Sequence, residues 1–240
     1  MLETVFMGAV SLLSALIQSV TGFGFGIIMM AVMPLFLPYT SALTISTVLS
    51  LALNITILAR CWRDISWKQL MLPALFCILG SSAGMFLMAN KPSPVYKHLL
   101  GVFLVMLAIW LYFFSEKVKL KATMRNAAVA GIISGACGGL FSVSGPPMVL
   151  YFVSVIEDKK EYMATLQCYF LLNNIYLLVM RAVLHLLPQG VWVPTLWGAA
   201  GLLAGSLAGG KIFNRLDGKK LKSFVYGFMA LSGLWIAIVG

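Results

Sequence analysis

An all-α polytopic membrane protein is the fold class this 240-residue sequence predicts, and three observations predict it. Hydrophobic residues make up 61% of the chain and charged residues 10%, with a mean hydropathy of +0.97. A soluble domain is nearer half apolar and a quarter charged, and a single soluble core of this size could not bury the excess. The apolar residues fall in long unbroken runs, as spanning helices require, rather than in the short alternating strands of a barrel. Finally, both halves carry the same pattern, a broken apolar stretch followed by three unbroken ones. The prediction is therefore two inverted repeats, each a broken-helix hairpin plus three transmembrane helices. Residues 1–114 form the first repeat, 115–125 a basic cytoplasmic linker and 126–240 the second.

The elements follow in order. Thr4–Val20 and Gly24–Leu37 are one long stretch interrupted at Thr21-Gly-Phe-Gly-Phe-Gly26. Alternate glycines remove side chains and permit turns that other residues resist. Ala42–Ala59, Leu70–Ala89 and Leu99–Phe114 come next. They approach the roughly 20 residues that cross a bilayer at about 1.5 Å per residue. Asn126–Phe141 and Pro147–Ile156 form the second broken stretch, interrupted at Ser142-Val-Ser-Gly-Pro-Pro147. Proline suits a first helical turn, where its missing N–H is not needed, and Ser144 suits a helix cap. Tyr162–His185, Val191–Gly210 and Phe224–Val239 complete the set. Glu3 stands where the basic region of a cleavable signal would lie, so the first segment reads as a span arm.

Basic residues decide how often each half crosses. If each broken stretch crossed once, the 17 Lys and Arg would split 9 to 8 between the faces. If each goes in and returns on the same side, one face collects 14 of the 17. These are Arg60, Arg63 and Lys68; Lys117, Lys119, Lys121 and Arg125; Lys159 and Lys160; and the five from Lys211 to Lys222. Lys91, Lys97 and Arg181 remain opposite. The second split is what the positive-inside rule expects. Both termini then face outside, and the halves are inverted. The formal charge of +10 is accordingly read as insertion topology and not as a nucleic-acid footprint.

The repeat is sought through matched residues. Gly22 and Gly135, Gly26 and Gly139, and Pro34 and Pro147 are each 113 positions apart. Arg60 and Arg181, Pro73 and Pro194, Gly80 and Gly201, and Gly84 and Gly205 are each 121 apart, and Asn54 and Asn174 are 120 apart. An insertion near Glu157–Glu161 accounts for the change in spacing.

Irregular backbone at membrane depth survives where it is buried in protein or lines a wet cavity, and a helix start there favours an anion. The candidate substrate-binding residues are therefore Gln18, Thr21, Gly22, Gly24 and Gly26 at the first break, with Asn54 in the following span. Gly138, Gly139, Ser142, Ser144, Gly145 and Pro146 are their counterparts at the second, with Asn174 beyond them. All are neutral, and no Asp or Glu lies inside a span, which suits an oxyanion better than a cation. Arg60 and Arg181 end comparable spans and are candidate anion gates, against the alternative that they simply snorkel to the two faces. Glycine faces such as Gly80/Gly84 and Gly201/Gly205/Gly209 read as helix packing, and so in part do Gly131/Gly135/Gly139. Cys61, Cys77, Cys137 and Cys168 are scattered without ligand spacing; neither a disulfide nor a metal is expected. No cofactor is expected either.

The glycine-rich break followed by proline in each half, Gly22-Phe-Gly-Phe-Gly26 with Pro34 and Gly135-Ala-Cys-Gly-Gly-Leu-Phe-Ser-Val-Ser-Gly-Pro-Pro147, with a charged central linker, resembles the sulfite exporter TauE/SafE permease family. The resemblance covers almost the whole chain. Family members usually carry a denser glycine run, which phenylalanine interrupts here. The resemblance implies a bacterial cytoplasmic (inner) membrane location and passage of sulfur oxyanions or organosulfonates such as sulfite, sulfoacetate or thiosulfate. Without an ATP-binding motif, the energy source is an ion gradient, with proton or sodium as coupling ion, or the substrate's own gradient. The rival classes are an anion channel, a scaffold, and an intramembrane serine hydrolase using Ser144 and His185. The last lacks the glycine that would complete a G-x-S-G turn.

Overall fold

A computed structural model describes the backbone of residues 2–89, 93–114, 120–212 and 218–239. Lys91, Lys117, Lys119 and Arg215, part of the basic linker (115–119), and the side chains of Lys211, Lys219, Lys220 and Lys222 lie outside the described residues. The described chain is all helical: α1 (Leu2–Thr21), α2 (Phe25–Val32), α3 (Tyr39–Leu58), α4 (Trp67–Ala89), α5 (Ser93–Phe114), α6 (Met124–Phe141), α7 (Gly145–Val155), α8 (Lys159–Val183), α9 (Trp192–Ile212) and α10 (Gly218–Val239). Among the described residues four helices, α3, α4, α5 and α8, are long and apolar enough to cross a membrane.

The burial pattern is that of a protein whose solvent is lipid. Leu196, Leu231 and Ile238 are more than 70% exposed, whereas Ser46, Asn54 and Gln167 are fully buried. Apolar side chains outside and amides inside reverse the soluble arrangement, since lipid tails are as apolar as leucine.

Local chemistry sets the helix ends. The Thr123 hydroxyl accepts from the Asn126 N–H at 3.2 Å to open α6. Asp158 accepts from the N–H groups of Lys160 and Glu161, at 2.9 and 2.8 Å, to open α8. Both are ordinary side-chain caps on otherwise unpaired amides. The two breaks fall where glycine and serine allow a left-handed residue: Gly22 has φ +85°, Gly24 +113° and Ser142 +55°.

The helix bounds give the internal correspondence, and it differs from the residue matches. Thr21 and Phe141 end the first hairpin arms, Phe25 and Gly145 begin the second arms, and Tyr39 and Lys159 begin the next helices, 120 positions apart in each case. α4 and α9, then α5 and α10, begin 125 apart. At that spacing Gly22 pairs with Ser142 rather than Gly135, and Asn54 with Asn174. Gly80 corresponds to Gly205 and Gly84 to Gly209. Glycines stand every fourth residue along the packing faces, so a shifted alignment still matches several of them. In the register of the helix bounds α8 outruns α3 by five residues at its end, and Arg181 falls within them. In that register Arg60 and Arg181 do not pair.

Packing is exchanged between the halves. α1 runs along α9 and α6 along α4, so each first hairpin arm is held by a helix of the other half. Both contacts are backbone to backbone. A Cβ on Gly80 would overlap the Ile132 carbonyl, and one on Gly205 would overlap the corresponding Leu12 carbonyl. The other pairs, α3 with α8 and α5 with α10, join corresponding helices of the two halves.

Candidate functional site

The two breaks meet. Gly26, in the first turn of α2, lies so close to the Ser142 carbonyl that an added Cβ would overlap it. The starts of α2 and α7, corresponding elements of the two halves, are thereby brought together. Between them lies a polar cavity of about 20 Å³, lined among others by Gln18, Gly24, Gly26, Ser50, Ser142, Ser144, Gly145, Phe170 and Asn174. A space of that size admits about one water.

Each side chain is placed by its helix. Gln18, in the last turn of α1, works in three directions. Its Oε1 accepts from the Phe25 N–H at 3.1 Å and so caps α2, whose own cap residue is a glycine. Its Nε2 donates to Asn54 Oδ1 at 2.8 Å and to Gln167 Oε1 at 3.1 Å. Gln167 Nε2 then donates to the Gly22 carbonyl at 2.8 Å. This chain of amides ties the first break to both α3 and α8. Across the cavity, Asn174 Nδ2 donates to Ser50 Oγ at 3.1 Å, joining α8 to α3.

The second break is held by different chemistry. Ser142 Oγ lies 3.0 Å from Thr47 Oγ1 and accepts from Arg181 Nη2 at 3.0 Å. Arg181 Nη1 donates to the Leu43 carbonyl at 3.0 Å and to Thr47 Oγ1. Thr47 and Gln167 are again 120 positions apart: one braces Ser142, the other Gly22.

Of the sequence candidates, the cavity gathers Gln18, Gly24, Gly26, Ser142, Ser144, Gly145 and Asn174. Gly22 and Asn54 adjoin it through the amide chain. Thr21 instead closes its own turn, its hydroxyl donating to the Ile17 and Phe23 carbonyls. Gly139 faces the backbone of α4, where its role is close packing, and Gly138 lies against Asn173 and Ser144. Pro146 lines a separate apolar groove of about 560 Å³ between α5, α6 and α7.

The two arginines part company. Arg60 is exposed in the turn after α3. Arg181 does not reach a face: it is 1% exposed. Helical side chains lean toward the N-terminus, and here the neutral oxygens of Leu43, Thr47 and Ser142 lie in that direction, so the guanidinium turns inward.

The sequence reading counts Thr47, Ser50 and Gln167 among the neutral polar side chains around the breaks without assigning them to the site, and it misses Phe170. The signal existed: Ser50 and Thr47 share a helix face with Asn54, at i−4 and i−7. Beside this core Asn54 Nδ2 and Arg181 Nε are buried without a hydrogen-bond partner. Among the described residues no group of three His, Cys, Asp or Glu side chains could hold a metal.

Neither a curated protein nor a solved structure matches the chain. The family model for the sulfite exporter TauE/SafE matches residues 7–236. The chain belongs to that family, a family of membrane transporters of sulfite and related sulfur compounds.

Proposed function

We propose that this family member is a secondary transporter that carries a small sulfur oxyanion or organosulfonate across a bacterial cytoplasmic membrane by alternating access, and that the cavity between the two breaks is its substrate site. The observation that carries the reading is the meeting of two helix starts, one from each half, at a polar cavity walled by neutral donors. Unpaired N–H groups and positive helix ends favour an anion, and discontinuous helices at a repeat interface are how many transporters build such a site. The unpartnered Asn54 Nδ2 and Arg181 Nε point the same way.

Inversion of the halves is supported by the pairing of corresponding helices. Leu43 and Ser50 of α3 meet Arg181 and Asn174 of α8, in opposite order along the two chains. Gly101 of α5 meets Ala237, whereas Val105 meets Gly233, so α5 and α10 also run antiparallel. The turn after α3 and the start of α8 lie at one end, where the Ser66 N–H donates to Thr165 Oγ1 at 2.9 Å. This grouping of the basic residues around those two elements supports the 14-to-3 arrangement.

Alternation then rocks the two hairpins about this cavity, each moving with the helix of the other half to which its glycine face binds it. Uptake of labelled sulfite or thiosulfate into proteoliposomes tests the site. Asn174→Ala and Ser50→Ala should each cut uptake at least about tenfold while leaving the folded fraction unchanged, since an interhelical hydrogen bond in a membrane is worth only about 0.6 kcal/mol. Wild-type uptake in both variants would move the site elsewhere.

A further inference from the structure

We propose that Arg181 supplies the fixed positive charge that holds the transported anion, and that the site takes the anion as a singly charged species. The inference rests on the transporter reading above. Among the described residues Arg181 is the single buried charged side chain. Its hydrogen-bond partners, the Leu43 carbonyl and the Thr47 and Ser142 hydroxyls, are all neutral. A buried cation with neutral partners keeps most of its desolvation cost, and an ionisable group at membrane depth is by default functional.

Its placement ties it to the cavity. Nη2 reaches Ser142 Oγ, and Ser142 is a cavity wall. Its Nε is buried without a partner. That atom is a donor, so a ligand that completes it brings a lone pair. Arg181 also sits in the five residues by which α8 outruns α3, so the first half has no counterpart and the site carries one positive charge rather than two. A monoanion balances that charge. A dianion leaves one negative charge in a low-dielectric core, which needs a cation bound with it.

The alternative is that Arg181 is only a tie between α8, α3 and the second break. The two roles separate in one experiment. Wild type, Arg181→Gln and Arg181→Lys are purified in detergent and melted without ligand. Binding of sulfite, thiosulfate, nitrate and chloride is then titrated below and above neutrality, where sulfite passes from monoanion to dianion. The charge role predicts that Arg181→Gln melts no lower than wild type, because a desolvated charge is removed. It also predicts anion binding weaker by about tenfold or more, with affinity largely kept in Arg181→Lys. Wild type should bind sulfite more tightly on the acid side. Binding in Arg181→Gln within twofold of wild type, whatever its melting temperature, overturns the inference and leaves the transporter reading standing. Wild type that binds none of the four anions overturns both. Wild type that binds nitrate and chloride but no sulfur anion, with that binding lost in Arg181→Gln, supports the charge role and rejects the sulfur substrate alone.

Discussion

At the residue scale the two breaks solve one geometric problem in different ways. Gly22 and Ser142 occupy corresponding left-handed positions, where glycine is unstrained and serine is not. A left-handed L-residue costs about 1–2 kcal/mol. Ser142 holds that conformation while its hydroxyl meets Thr47 and Arg181. Strain kept at a ligand site is a mark of function. Ser142→Gly should therefore melt at or above the wild-type temperature while transport falls, and loss of stability with full transport would contradict this. Conversely, Gly24→Ala, at φ +113°, should cost about 1–2 kcal/mol in a detergent melt without removing any side chain. Gly26→Ala should cost more than Gly24→Ala and impair transport as well, since its Cβ meets the Ser142 carbonyl and drives the two breaks apart.

At the element scale, backbone-to-backbone glycine seams bind α1 to α9 and α6 to α4. In lipid, where apolar burial drives little association, such close packing is a main source of cohesion. Gly80→Ala and Gly205→Ala, corresponding positions facing corresponding carbonyls, should destabilise by similar amounts, about 1–3 kcal/mol each. Unequal losses of more than about twofold would argue against the correspondence. The seams and breaks are legible in the sequence because glycine, serine and proline have few other uses inside an apolar run. The register is hidden for the same reason. Residues such as Gly135 and Gly139 recur with helical spacing, so they align with Gly22 and Gly26 although they pack on α4. Arg181 is hidden too. An arginine near a span end reads as a surface residue until the Leu43, Thr47 and Ser142 oxygens are seen to lie inward of it.

At the scale of the whole molecule, topology and transport are tested separately. Cysteines introduced at Lys121 and Lys160 should label from the cytoplasmic side, and one at Gln189 from the outside. All three positions are exposed. The native Cys61 adds little background at neutral pH, because burial raises its thiol pKa and Asp64 raises it further, against an opposing effect of Arg60. Gln189 and Lys121 labelling from one side would contradict the inverted arrangement. For transport, the proposal is that the polar cavity between the two broken helices carries a sulfur anion by alternating access. Counterflow in proteoliposomes tests it most directly, with unlabelled sulfite, thiosulfate, sulfoacetate or a sulfur-free anion inside and labelled sulfite outside. A carrier of this kind should show saturable uptake of label, driven by internal sulfite more than by the dianions thiosulfate and sulfoacetate, and lost in Asn174→Ala. Uptake that does not saturate and is indifferent to the internal anion would contradict a carrier and show a channel, and no uptake from folded protein would contradict the sulfur substrate.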